Sequence, residues 1–270
     1  MNEAKFMNLK ERAEGFQFTS MNYTDYSEVS GFEIISEDDG LILMYGYNQD
    51  KKTYEYHFAC NTAEELLGKI DKDKRNAQIS FVPEEWVERF KQFGFKVYAV
   101  FNDYVNPDIN NIEVVSAPEF LTEEDCEAAA RVTVACRGQS RGFHGETAEF
   151  MKAWIKGEEH AISDCGAKGC AVFLHREDGK IVGVVCTATY AYGSPKGPIA
   201  WIREIAVHPD YQRRGIAKKL ILQALNFGKA NGAVRAFLMA DECNEHAIHL
   251  YGKLGFTANK DEKQIDMVLL

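Results

Sequence analysis

Two hydrophobic periods alternate along this chain, and the points where one gives way to the other mark out its elements. Ile202, Ile205 and Val207 form an apolar β-branched run closed by His208-Pro209, and past Gly215 the apolar residues Ile216, Leu220, Ile221 and Leu225 return at helical spacing. A strand therefore feeds a helix through a short polar loop. The same pattern gives a strand at 112–116, a helix from the capping-box run Thr122-Glu-Glu-Asp to about residue 137, and a second helix at 146–156. A hairpin of strands 170–176 and 180–191 follows, turning about Glu177-Asp178-Gly179, and then the strand 199–207 and the long helix 215–230, stopped by Asn231-Gly232. A strand at 234–240, a helix from Asn244 to Gly255 and an antiparallel pair, 256–259 and 264–269 about residues 260–263, close the chain.

The N-terminal half opens on a charged, helix-like stretch. Segments 16–19, 32–35, 41–47 and 53–59 then alternate apolar with polar residues between turn signals such as Asp38-Asp39-Gly40, and read as antiparallel strands. Thr62-Ala-Glu-Glu caps a helix to about residue 72; residues 77–82 are a strand, 83–93 a helix and 95–101 a strand. That order repeats the last elements of the C-terminal half.

With 270 residues, 46% of them hydrophobic, the chain can fill more than one core. The turn-rich stretch Asn106-Pro-Asp-Ile-Asn-Asn111 divides it into expected domains 1–111 and 112–270. No apolar run approaches the roughly 18 residues of a membrane span and the start is no signal peptide, so the expected location is cytoplasmic, with no membrane partner. The seven cysteines are scattered without a C-x-x-C pair, which reads as reduced, packed thiols and neither disulfides nor zinc. His246 and His249 have no evident third ligand, so no metal is expected. Net charge is −10, and residues 1–111 hold 12 Lys and Arg against 20 Asp and Glu, which argues against nucleic-acid phosphate as a partner.

The loop between strand and helix, Arg203 to Ala217, presents a helix N-terminus whose free N–H groups and dipole attract an anion; Gly215 has no Cβ to block main-chain approach, and Arg213 and Arg214 add positive charge. This run resembles Q/R-x-x-G-x-G/A, the acetyl-CoA pyrophosphate loop of the GNAT superfamily of N-acyltransferases, with Gln212, Gly215 and Ala217 at its fixed positions. Asn244 to Phe256, N-E-H-A-I-H-L-Y-G-K-L-G-F, resembles that family's second signature, a short helix closed by a glycine before a strand. The resemblance implies an α/β (α+β) fold with a mixed, mostly antiparallel sheet flanked by helices, whose central strands splay at the end of the 203–207 segment. Aligned without gaps, Pro83 to Phe95 overlies Asn244 to Phe256, pairing Phe90 with Tyr251, so the N-terminal half reads as a degenerate GNAT-like repeat without the phosphate loop or the tyrosine hydroxyl.

The implied activity is transfer of an acetyl group from acetyl-CoA to a primary amine of a small molecule or peptide. Such transfer needs a polarised carbonyl, a proton acceptor for the amine and a proton donor for the thiolate. The resemblance assigns the cofactor to the main chain at Ile205, Ala206 and Val207 and to Gln212, Arg213, Arg214, Gly215, Ile216, Ala217, Asn244 and Tyr251. It assigns thiolate protonation to Tyr251. Glu204 is the candidate base, with an ion pair to Arg203's neighbours or plain exposure as its alternatives; on a regular strand Arg203 and Glu204 face opposite sides, unless a bulge intervenes. Asn244 either caps its helix, bonds the pantetheine, or both. Acceptor contacts are expected from the loop Gly138 to Glu146, with Phe143, His144 and Glu146, from residues 260–263, and from Tyr190, Tyr192 or Trp201. The rivals are a non-catalytic acyl-CoA sensor or scaffold and a partner-binding protein working through its acidic half; a homodimer is left open.

Overall fold

Strand, loop and helix recur in both halves, and the burial of one helix face explains each pairing. In this computed structural model every residue is described except Asp50, and of Lys260, Asp261 and Glu262 the backbone alone. The chain divides into two units, residues 1–101 with 263–270, and residues 102–262. No helix among the described residues is long and apolar enough to cross a membrane.

In the second unit the strands lie in the order 102–106, Arg235–Asp241, Ile199–Val207, Lys180–Tyr190, Gly169–Glu177, Glu119–Phe120. Helix Ile216–Ala230 covers one face with buried Ile216, Leu220, Ile221 and Leu225, each side chain contributing about 1.5–3 kcal/mol by burial. Gly228 lets that helix approach closely, because a Cβ there would stand 2.3 Å from the Cβ of Ala200. Helices Cys126–Ala135 and Ala148–Lys156 cover the other face through Met151, Trp154 and Val132. The Asp178-Gly179 turn holds both residues at positive φ, as a two-residue hairpin of this hand requires.

In the first unit, Glu33–Glu37, Leu41–Asn48 and Thr53–Cys60 pair antiparallel in sequence. Thr53–Cys60 then pairs in parallel with Ala77–Ile79 over three positions, and Ala77–Ile79 pairs antiparallel with Met267–Leu269. Phe58, Phe90, Phe95 and Trp86 fill this core. Both units are mixed α/β with mostly antiparallel strands.

Three expected elements differ. Residues 112–116 form no strand; Asn226 Nδ2 and Gln223 Nε2 bond the carbonyls of Glu113 and Ser116, so the segment runs along the long helix, and the edge strand is Glu119–Phe120. The closing pair about residues 260–263 is instead one strand, Thr257–Leu269. The helix from Thr62 ends at Leu67, because Gly68 follows. A short helix, His160–Asp164, was not foreseen.

Candidate active site

Strand Ile199–Val207 pairs along its length with Lys180–Tyr190, but with Arg235–Asp241 it registers only at Ile199, Ala200 and Trp201. Beyond Trp201 the two parallel neighbours part. The splay implied by the resemblance is therefore built into the second unit, and residues 202–207 have no register partner on the Arg235–Asp241 side among the described residues. The Ile205 N–H donates to Glu204 Oε1 at 3.1 Å. The side chains of Ala206, Val207 and Ile216 are buried, so a ligand there would meet their main chain alone.

Past the end of that strand, Gly215 sits before the helix at φ +82°, and Arg213 at φ +60°. Successive left-handed turns of this kind converge N–H groups into an anion-binding hollow. No side chain caps the helix, and a Cβ on Gly215 would meet nothing within 4 Å, so the space over the helix start is open. The first unit's corresponding helix start is filled from within: Thr62 Oγ1 accepts from the Glu65 N–H, and the Glu65 carboxylate accepts from Thr62. Gln212 turns back, its Nε2 donating to Val207 O at 2.9 Å and to Gln139 Oε1 at 3.0 Å. Arg214 pairs with Glu177 at 2.9 Å and stacks on Tyr211, whereas Arg213 has no ion pair among the described residues. Ala217 is half-buried behind them.

The expectation that Arg203 and Glu204 face opposite sides is overturned by a bulge, because the register shifts between Ile202 and Glu204. Arg203 instead reaches Glu204 at 3.8 Å and Glu146 at 3.7 Å. Two carboxylates thus share one guanidinium. Burial pushes the Glu204 carboxyl up to about 8, with Arg203 and the Ile205 N–H pulling against it and Glu146 adding to it. Burial also raises Glu146. Tyr251, 6% exposed and packed against Tyr104 and Phe256, is raised well above the ordinary phenol value by burial and then by the Glu204 charge. A phenol so placed keeps its proton and can only donate it. Asn244 caps its helix, Oδ1 accepting from the Ala247 N–H at 3.4 Å.

The loop Gly138 to Glu146 is tied down by an ion pair that sequence reasoning missed. Arg141 meets the buried carboxylate of Asp241, at the end of the splayed strand, through Nη2 at 2.5 Å and its own backbone N–H at 2.8 Å. Hydrogen bonds from Arg141 and Cys243 outweigh burial and hold Asp241 down at about 2. Phe143 packs on the helical core, and Trp201 stands edge-on to Trp154 and Tyr190. Tyr192 instead bonds Asn231 O. His246 and His249 join no group of three metal-ligating side chains among the described residues. The side chains of residues 260–262, expected at the acceptor site, lie outside the described residues.

Residues 140–256 match the acetyltransferase (GNAT) family. An uncharacterised N-acetyltransferase of Methanocaldococcus jannaschii is 35% identical over 94 residues, 34% of this chain and 40% of that protein. The mycothiol acetyltransferase of Thermobispora bispora is 33% identical over 86 residues, 32% of this chain and 29% of that protein. The chain thus spans less than half the length of these two curated relatives. A GNAT-family acetyltransferase structure from Colwellia psychrerythraea, 14% identical, aligns over 99% of this chain and 97% of its own with a TM-score of 0.56, which extends the shared fold through both units. The match to the GNAT acetyltransferase family thus lies in residues 140–256, within the second unit.

Proposed function

We propose that this protein is an acetyl-CoA-dependent N-acetyltransferase acting on a primary amine of a small molecule or peptide. The observation that carries the reading is the parting of Ile199–Val207 from Arg235–Asp241 directly before an uncapped helix N-terminus. The residues fit the donor: main-chain N–H groups from Gly215 to Ala217 and the charge of Arg213 would hold its diphosphate, and residues 205–207 its pantetheine arm. Gln212 and Arg214 act on the loop's shape through Val207 and Glu177. Bound acetyl-CoA supplies a thioester carbonyl open to attack by an amine.

The chain's own groups then divide the proton work. Glu204, with its raised carboxyl, takes the proton from the attacking nitrogen, and Tyr251 gives its proton to the departing sulfur. Glu146 and Arg203 set the field in which the acceptor's charge is lost. The first unit takes no part in the chemistry, because Thr62 and Glu65 occupy its helix start and Phe90 has no hydroxyl. Seven unbridged cysteines support a reducing, cytoplasmic setting. The test is CoA release over a panel of polyamines, amino sugars, amino acids and peptides. Tight acetyl-CoA binding with no release for any amine would make the protein a sensor instead.

A further inference from the structure

Up to the bulge, Ile199, Trp201 and Arg203 share one side of their strand, and that side leads away from Glu204 along an aromatic wall. Arg203 lies over Phe150 at 5.8 Å, Phe150 meets Trp154 at 5.5 Å, Trp154 meets Trp201 at 5.6 Å, and Trp201 meets Tyr190 at 6.0 Å. At the far end, level with Ile199 and its register partners Tyr190 and Arg235, opens a cavity of about 620 Å³. Tyr190, Ile199 and Phe237 wall it, and Lys196, Arg235 and Asp103 bring charge to it.

Those two cations stand out in a chain of net charge −10. Arg141, Arg176, Arg203 and Arg214 of the same unit each pair with carboxylates. Arg235 and Lys196 have no ion pair among the described residues; Arg235 gives only its Nε–H, to Gly197 O at 3.3 Å. Its guanidinium ends stay available for a planar anion. We propose that this cavity holds an anionic group, carboxylate or phosphate, at the far end of the acceptor whose amine is acetylated at Glu204. Four register steps separate Ile199 from Glu204, which at about 3.3 Å per residue puts the anion about 13 Å from the amine. An extended peptide of about four residues, ending in a free carboxylate, has that span. The inference rests on the acetyltransferase reading, and it narrows the acceptor to an elongated amine with a distal anion.

The experiment compares tetraglycine with tetraglycinamide, which lacks the terminal charge, and with an aminooctyl phosphate of similar span. Wild type should acetylate the acid with a KM about tenfold to a hundredfold below that of the amide at similar kcat, the scale of lost charged hydrogen bonds. Arg235→Gln and the exposed Lys196→Gln should bring that ratio toward one while leaving acetyl-CoA affinity intact. The phosphate arm tells which anion is preferred. Equal KM for acid and amide in wild type, or a ratio that survives in both variants, would overturn the proposal. If no amine at all is turned over, the acetyltransferase reading fails first, and binding decides alone: tetraglycine should still change tryptophan emission saturably in wild type and not in Arg235→Gln. No saturable change with tetraglycine or inorganic phosphate would sink the anion site.

Discussion

Replacing Glu204 with Gln should leave the fold in place, remove the proton acceptor and abolish one pH dependence of stability. The amide is the same size and still offers an oxygen to the Ile205 N–H. In wild type the carboxyl titrates at about 8 in the folded protein, against an ordinary 4.5. A raised folded value means that the native state binds a proton the unfolded chain has released. The associated stability is therefore complete below pH 4.5 and is lost as pH climbs through 8. The shift corresponds to something on the order of 4 kcal/mol, or roughly 10 °C in melting temperature for a chain of this size. Thermal melts from pH 5 to 9 should fall steeply for wild type and flatten for the variant, with a residual slope of the same sign from Glu146. Kinetics should agree, because at pH 7 about a tenth of Glu204 is ionised, so kcat/KM should rise about tenfold toward pH 9 and lose that rise in the variant. Parallel melting curves for the two proteins would refute the placement of a buried, protonated acid at this position.

Tyr251→Phe should lower kcat by about a hundredfold or more with little change in acetyl-CoA Kd or melting temperature, since only a proton donor is removed; unchanged turnover would take Tyr251 out of the mechanism. Gly215→Val should weaken acetyl-CoA binding by at least about tenfold in calorimetry, and it should also cost about 1–2 kcal/mol of stability because φ is +82° there. Equal affinity would refute the phosphate-loop assignment. Arg141→Ala strands the Asp241 carboxylate, whose side chain is 0% exposed, and should cost about 3 kcal/mol in urea unfolding and open the 138–146 loop to proteolysis. With the Arg141 guanidinium gone, burial pushes the Asp241 carboxyl up, so mild acid should protonate it and recover part of the loss.

Local signals were read well from the sequence. The strand into Gly215, the capping box at Thr62 and the glycine after the Tyr251 helix each state their conformation within a few neighbouring residues, whereas Thr122 opens its helix through a 3-10 turn without the side-chain cap its sequence suggests. What escaped depends on partners far along the chain. Arg141 and Asp241 lie 100 positions apart, and nothing near either one announces the other. The bulge at Arg203 shifts side-chain parity without a glycine or proline to mark it. Ile112, Val114 and Val115 have strand-like chemistry, but their carbonyl neighbours are taken by Gln223 and Asn226 and not by another strand. The charged run 260–263 suggested a turn, yet it holds no glycine or proline, and the backbone runs through it as one strand.

The placement of residues 263–270 with the first unit has a consequence for how the chain is made. During synthesis, the segment Ala77–Ile79 emerges before the whole of the second unit, whereas its neighbour Met267–Leu269 emerges after it. A nascent chain halted anywhere before residue 263 would present an open β edge, inviting pairing with other chains. The first unit would thus be begun before the second and closed after it.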